Sequence, residues 1–239
     1  MRILIITNLY PPQYLGGYEL LCYQVAEYLM AQGHQVEVLT SDFMSEGELE
    51  KGVSRSLKIF QDFRKTFRDS LGFRMKMPGI DKYNQAEAQR KVSQFKPDII
   101  FMWSQRRLTL GPALAAERSG IPCVCTMNDE WLGFYEPVKF KWKLGRLLRY
   151  LCQEVCFPTT TTADVKLKNS FSVSCFTRDA IMAVVQSFTS EDVIYQGIEL
   201  KSFPYRGLKE ELGSPVKLLY VGQLLESRAC QTWCWLWHC

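Results

Sequence analysis

Met1-Arg2-Ile3-Leu4-Ile5-Ile6-Thr7-Asn8-Leu9-Tyr10-Pro11-Pro12-Gln13-Tyr14-Leu15-Gly16-Gly17-Tyr18-Glu19-Leu20-Leu21 opens the chain. The apolar run at 3–6 is continuous rather than alternating, as expected of a parallel strand covered on both faces. Pro11-Pro12 and Gly16-Gly17 then interrupt regular structure. From Glu19 to Ala31 apolar residues recur at Leu21, Val25, Tyr28 and Leu29, the spacing of one helix face. Gly33 stands where a helix of that length ends, in the C′ position, and Val36-Glu37-Val38-Leu39 reads as a second strand.

Working outward, the same order recurs. A helix is expected over about 82–95, stopping at Lys96-Pro97, followed by a buried strand over 99–103. A helix around 112–118 leads through Gly120-Ile121-Pro122 into a strand over 123–127. A strand over 171–176, a helix from Arg178 and a strand at Val193-Ile194-Tyr195 follow. The stretch 45–76 is expected to hold one strand plus surface elements. Strands alternating with helices of about ten residues or more imply an α/β fold, with a doubly wound, mainly parallel sheet. Lys217-Leu218-Leu219-Tyr220-Val221-Gly222 reads as one more strand, opening a second domain after a polar connection. The last twelve residues, 228–239, hold three Trp and three Cys with no helical or strand period. They read either as an interaction tail or as an aberrant terminus. The expected organisation is a first domain over 1–208, a linker and first strand of a second over 209–227, and the tail over 228–239.

Bulk composition narrows the classes. At 47% hydrophobic and 23% charged the 239 residues suit a globular protein, and a net charge of +4 gives no argument for nucleic acid. The nine cysteines include no C-x-x-C pair, and the only histidines are His34 and His238, so no metal site is expected. Buried, reduced thiols are expected instead. The opening apolar run is shorter than a signal-peptide core of about seven to fifteen residues. No stretch reaches the roughly eighteen apolar residues of a membrane span. The chain is therefore expected in the cytoplasm.

A glycine pair after a first strand admits two readings. Glycine allows close backbone approach, and the following helix start favours an anion; alternatively the pair is a turn that caps the helix. It is neither a G-x-G-x-x-G fingerprint nor a P-loop, since no Gly-Lys-Ser/Thr follows.

Several segments in order carry more weight than the pair alone. They are Ile3-Leu4-Ile5-Ile6, Pro11-Pro12, Gly16-Gly17-Tyr18-Glu19 and Gly33-His34-Gln35-Val36-Glu37-Val38-Leu39-Thr40. Lys96-Pro97-Asp98-Ile99-Ile100, Gly120-Ile121-Pro122-Cys123-Val124, Val193-Ile194-Tyr195-Gln196-Gly197-Ile198-Glu199 and Leu218-Leu219-Tyr220-Val221-Gly222-Gln223 complete the series. Together they cover about residues 1–227, and the chain resembles the N-terminal domain of glycosyltransferase family 4. That resemblance implies the Rossmann-like, acceptor-side half of a two-domain GT-B fold. It also implies a retaining transfer from a nucleotide sugar to a saccharide or lipid-linked acceptor, with no further cofactor.

By resemblance, Gly16 and Gly17 approach the donor diphosphate. Glu19 either joins them or complements the dipole of the helix it opens. The family often has a His-Asp pair after the fifth strand; here Asn128 stands where His is common, so no histidine role transfers. Asp129 keeps the acidic position at the carboxyl end of a strand, where open α/β sheets place ligands. There it could orient or deprotonate an acceptor hydroxyl, or cap the next helix. His34 reads as a structural contact. In the second domain the family places an Arg after the first strand's glycine and a Lys-Gly pair further on. This sequence offers Gly222, Gln223, then Arg228-Ala229, so the donor-binding remnant is weak and the family's later Glu pair has no counterpart. An inactive N-terminal fragment of such an enzyme is therefore expected, the alternative being a non-catalytic module that holds a phosphate or sugar ligand. The segment 139–151 has five basic residues, no acid and a helical apolar stripe. It reads either as a peripheral contact with the cytosolic membrane face or as a helix packed on the sheet.

Overall fold

The computed structural model describes residues 1–45, 50–61, 71–137, 151–156, 158–185, 187, 188, 190, 192–197 and 207. The chain divides into two units, Met1–Gln196 and Gly197–Cys239. In the second, Gly207 takes a φ of 81°. The first contains β1 (Arg2–Ile6), α1 (Gly17–Ala31), β2 (Gln35–Ser41), β3 (Val53–Leu57), α2 (Leu71–Phe95), β4 (Ile99–Met102) and α3 (Gly111–Arg118). It continues with β5 (Cys123–Met127), a 3-10 turn (Trp131–Tyr135), a π-helical turn (Leu151–Cys156), β6 (Ser170–Ser172), α4 (Cys175–Val184) and β7 (Asp192–Val193). The seven strands form one sheet in the order β3-β2-β1-β4-β5-β6-β7, and every neighbouring pair is parallel. This is the α/β parallel sheet that the alternating pattern implies, in the Rossmann-like form that the resemblance implies.

The continuous apolar run of β1 is explained by its two faces. Ile3 and Ile5 pack with Cys22 and Ala26 of α1, while Leu4 and Ile6 join Ala88, Val92, Ala113 and Ala116 of α2 and α3. Helix α1 ends as expected. Gly33 lies at φ 83°, with its N–H on Met30 O (2.9 Å) and that of His34 on Leu29 O (3.1 Å). These two bonds satisfy carbonyls the last turn would leave open.

Element boundaries differ from the expectation in three places, each for a local reason. Helix α2 starts at Leu71 rather than near 82 and runs through Pro78, because burial of Met77 and docking on α3 outweigh the breaker signal. Strand β6 stops at Ser172, and α4 starts at Cys175, since Ser174 Oγ caps it by accepting the Thr177 N–H at 3.1 Å. Strand β7 is confined to Asp192–Val193. The single strand expected within 45–76 is β3. The cysteine expectation also needs correction. Cys22 and Cys125 are buried and Cys123 is partly so, but Cys156 and Cys175 are exposed, all five as free thiols.

Two buried polar side chains on α2 hold the second helical layer. Asp81 Oδ1 accepts the Gly111 N–H (2.9 Å), and its Oδ2 accepts both the N–H and the hydroxyl of Thr160 (2.9 and 2.6 Å). The carboxylate thus sits at the N-terminus of α3, where the helix dipole favours it. Asn84, fully buried, accepts the Lys58 N–H and donates to the Lys58 and Leu108 carbonyls at 2.7–2.8 Å. Among the described residues no helix is long and apolar enough to cross a membrane.

A Cβ at Gly111 would overlap the backbone carbonyl oxygen of Asp81 and crowd the Gln85 nitrogen. Gly111→Ala is therefore expected to cost about 2 kcal/mol or more by overpacking, read as a lowered urea midpoint at unchanged slope. Burial pushes the Cys123 thiol up to about 11, with Glu117 adding to the rise. Iodoacetamide labelling followed by peptide mass mapping at pH 8.5 should modify Cys156 and Cys175 while sparing Cys22, Cys123 and Cys125. Because the folded value lies above the ordinary thiol value near 9, this group's stabilisation is complete below pH 9. It is lost as pH rises through 11.

Candidate functional site

The sheet order reverses between β1 and β4, so the connections leaving their carboxyl ends run to opposite sides and open a crevice. Backbone pairing persists up to two residues past the strands. Thr7 N–H reaches Leu39 O (3.0 Å), Trp103 N–H reaches Ile6 O (2.9 Å) and Asn8 N–H reaches Ser104 O (2.8 Å). Asn8, 2% exposed, fixes the parting point. Its Oδ1 accepts the Leu9 N–H at 2.9 Å, its Nδ2 donates to Arg106 O at 3.3 Å, and its carbonyl accepts the Ser41 hydroxyl at 2.5 Å.

From there the β1–α1 loop is held by an arginine of the edge strand. Arg55 donates to the carbonyls of Tyr10 (3.0 Å) and Pro11 (2.6 Å) and to Glu50 (3.2 Å). The Pro11-Pro12 bond is cis. Beside this loop lies an open groove of about 760 Å³, with Pro11, Tyr14, Tyr23, Phe43, Met44 and Arg55 in its walls.

Gly16 is extended (φ −163°, ψ −167°), and its N–H donates to Glu19 Oε2 at 3.0 Å. Glu19 is 7% exposed, so its carboxylate closes the glycine turn from beneath. A Cβ at Gly16 would meet only that carboxylate, at 4.0 Å, and one at Gly17 would meet nothing; neither residue has a left-handed φ. Nothing within the described chain requires glycine at either position. Tyr18 then ties the first turn of α1 to the ends of β4 and β5. Its hydroxyl donates to Thr126 O at 3.4 Å, and its ring lies 5.2 Å from that of Trp103. Desolvation holds the Tyr18 phenol well above its ordinary value, with the Cys125 and Cys22 thiols and the Asp129 carboxylate adding to the rise.

Beyond β5, Asn128 Oδ1 accepts the Thr126 hydroxyl at 2.8 Å. Asp129 Oδ1 accepts the Trp131 N–H at 3.1 Å, holding the entry to the 3-10 turn. Its Oδ2 faces Arg106 Nη1 at 3.7 Å, both side chains being about half exposed. Asp129 and Arg106 line a second cavity of about 440 Å³ with Phe60, Trp131, Phe134 and Tyr135. Tyr135 locks that wall, donating to Gln105 O (2.9 Å) and accepting the Thr109 N–H (3.3 Å).

The structure thus gathers Gly16, Gly17, Glu19 and Asn128 around the Tyr18–Thr126 link, and sets Asp129 in the wall of a separate cavity. Gly222, Gln223, Arg228 and the basic segment 139–150 lie outside the described residues, as does the strand expected over 217–222. Sequence reasoning missed Arg55 and Arg106. Arg106 had a signal, since Arg106-Arg107 comes four residues after the end of an apolar strand, on the sheet's carboxyl side. Arg55 had none, because its acceptors are backbone carbonyls more than forty residues away.

Fold and crevice define an open α/β domain whose crevice opens at the topological switch point, where sheets of this kind place ligands. The model of Glycosyltransferase Family 4 matches residues 15–168, more than half of the chain, and the chain belongs to that family. No curated protein matches it. Among solved structures, the chain is similar to sucrose-phosphate synthase from Thermosynechococcus elongatus (13% identity, TM-score 0.49, covering 84% of this chain and 49% of that one). It is also similar to the UDP-GlcNAc 2-epimerase from Neisseria meningitidis bound to UDP-GlcNAc (15%, TM-score 0.45, 82% and 46%). A third is a glycosyltransferase from Streptomyces sp. SF2575 (21%, TM-score 0.35, 53% and 39%). The chain spans about half the length of these structures, or less.

Removing the Arg55 guanidinium frees two loop carbonyls. Arg55→Ala is expected to destabilise the domain by about 1–3 kcal/mol and to speed amide hydrogen exchange over residues 9–16 while leaving β1 protected.

Proposed function

We propose that this chain is the acceptor-side domain of a retaining glycosyltransferase that uses a nucleotide sugar. The observation that carries the reading is the open space above Gly16 and Gly17, which neither packing nor backbone conformation requires to be glycine. A surface kept free of Cβ atoms at a helix start suits a diphosphate approaching the backbone. Glu19 occupies the Gly16 N–H, so the anion is met by the N–H groups of the next helical residues, which have no intrahelical partner. In this reading Glu19 shapes the loop. Asn128, held through its oxygen by Thr126, has its amide N–H groups to offer to a sugar hydroxyl.

Asp129 is the acceptor-side carboxylate. With Oδ1 engaged by a backbone N–H, Oδ2 is the oxygen that orients or receives the proton of an attacking hydroxyl. A same-face displacement returns the anomeric configuration of the donor, and the departing diphosphate is stabilised by N–H groups and by basic residues of the donor-binding domain. Residues 209–227 open that domain in this reading. Gly222, Gln223 and Arg228 are what the chain itself brings to the donor, and tail 228–239 has no assigned role. The acceptor is a saccharide or a lipid-linked one, with segment 139–151 meeting the cytosolic membrane face in the latter case.

The test is calorimetric titration of the purified chain with UDP, GDP, dTDP and ADP. At least one should bind, and Gly17→Val should weaken it about tenfold or more with the thermal midpoint unchanged. Equal affinity in the variant, or no binding of any of the four by the wild type, would sink the reading. A coupled turnover assay with the matching nucleotide sugar, run on the chain alone and on the chain extended by a donor-binding domain of the family, then separates a transferase half, active once extended, from a module that only holds its ligand.

A further inference from the structure

The 440 Å³ cavity beside Asp129 has a chemical character of its own. Phe60 and Phe134 are stacked, with centroids 5.6 Å apart and planes 18° from parallel. Tyr135 stands edge-on to Phe134 (5.1 Å, 84°) and to Trp131 (6.2 Å, 72°). Phe60, Trp131 and Tyr135 are each at most 6% exposed, so packing fixes the rings that form the wall. The Phe60 N–H donates to Arg107 O at 2.9 Å, and the 3-10 turn carrying the other three rings rests through Gly133 on Val184 of α4. The wall is rigid before any ligand arrives, which lowers the entropy lost on binding. Its volume falls in the range of about 300–1,000 Å³ usual for small-ligand pockets.

The charged residues complete the picture. Arg106, Arg107, Asp129 and Glu130 line the cavity, two positive and two negative, so the lining offers no net attraction to an anion. Arg106 Nη1 and Asp129 Oδ2 are 3.7 Å apart, too far for a good hydrogen bond. Both keep capacity for a group that accepts from the guanidinium and donates to the carboxylate. A neutral hydroxyl does both at once, whereas a phosphate can only accept.

We propose that this cavity takes a neutral acceptor that presents a flat apolar face to the aromatic wall and a hydroxyl to the Arg106–Asp129 pair. Two kinds of molecule share that chemistry, an aryl alcohol and the CH face of a pyranose. Only the role of Asp129 as the acceptor-side group rests on the transferase reading; the binding preference does not. An aliphatic chain gains burial here but neither the offset or edge-to-face geometry of an aromatic ring nor the several hydroxyls that a pyranose carries around its CH face, and what a lipid phosphate gains from the two arginines the two carboxylates offset.

The experiment follows the Trp131 indole N–H of the purified 239-residue chain by ¹⁵N NMR, assigned through Trp131→Phe. The probes are 2-naphthylmethanol, methyl β-D-glucopyranoside, n-octanol and 2-naphthyl phosphate. The expected result is that one of the two ring alcohols shifts this resonance with an affinity about fivefold or more above those of octanol and the naphthyl phosphate. The naphthyl compound leading identifies an aryl acceptor, and the glucoside leading identifies a sugar. Arg106→Ala, a change at an exposed side chain, should lower the ring alcohol's affinity at an unchanged thermal midpoint, and Phe134→Leu should erase its advantage over octanol. Tighter binding of octanol or of the naphthyl phosphate, or indifference to both substitutions, overturns the proposal. Nucleoside diphosphate titrations of the same sample keep the failures apart. Ring binding with no diphosphate binding defeats the transferase reading alone, and the reverse defeats this one alone.

Discussion

Everything in the first unit hangs from β1, a five-residue strand paired on both edges and covered on both faces. From Ile3 to Ile6 its N–H and C=O groups are buried, so each must find a partner, and parallel pairing with β2, β4 and the residue that follows β4 supplies them. The same requirement decides where the crevice opens. Pairing continues to Thr7 and Asn8 and then ends, because the flanking chains turn to opposite faces. The polar groups left at that point are taken up by the Asn8 side chain and the Ser41 hydroxyl. The crevice is the place where a fully satisfied sheet runs out of strands, bounded by side chains that stand in for them.

Glycine serves two opposed purposes in this architecture. At Gly111 it is demanded from within, because α3 approaches the backbone of α2 closely enough for Asp81 to bond across the contact. At Gly16 and Gly17 no such demand exists. The first pattern explains a stable helical layer, and the second leaves bare backbone facing outward at the start of a helix.

The parallel sheet was legible because a strand buried on both faces loses its alternation, and Ile3 to Ile6 and Ile99 to Met102 show that loss plainly. Strand β5 and the C-terminal stop of α1 at Gly33 were equally clear, since a turn residue marked each. The early start of α2 was hidden by Pro78 and Gly79, which signal a break that tertiary packing overrides. The start of α4 was hidden in a serine whose capping role is one of several a serine can have. At the site, the glycine pair and Asp129 were visible as residue types in position. Their separation into a loop and a distinct aromatic cavity was not, because it depends on which sheet face each connection takes. Arg55 shows the limit most sharply. Its partners are carbonyl oxygens, which every residue has, so no side-chain pattern in the sequence could advertise the clamp.

The register of β1 also bears on how the chain is made. Ile3 pairs with Val36 on one side and with Ile99 on the other, so the second edge stays unpaired until nearly a hundred residues have followed it. A ribosome adding about 5–20 residues per second leaves that edge open for several seconds after synthesis of β2 is complete. An apolar strand with a free edge is a template for pairing with other chains, and the interval is set by topology rather than by final stability. An interior strand of the finished sheet is thus, during synthesis, the one that waits longest for its second partner, and the nascent chain is most vulnerable to aggregation before β4 emerges.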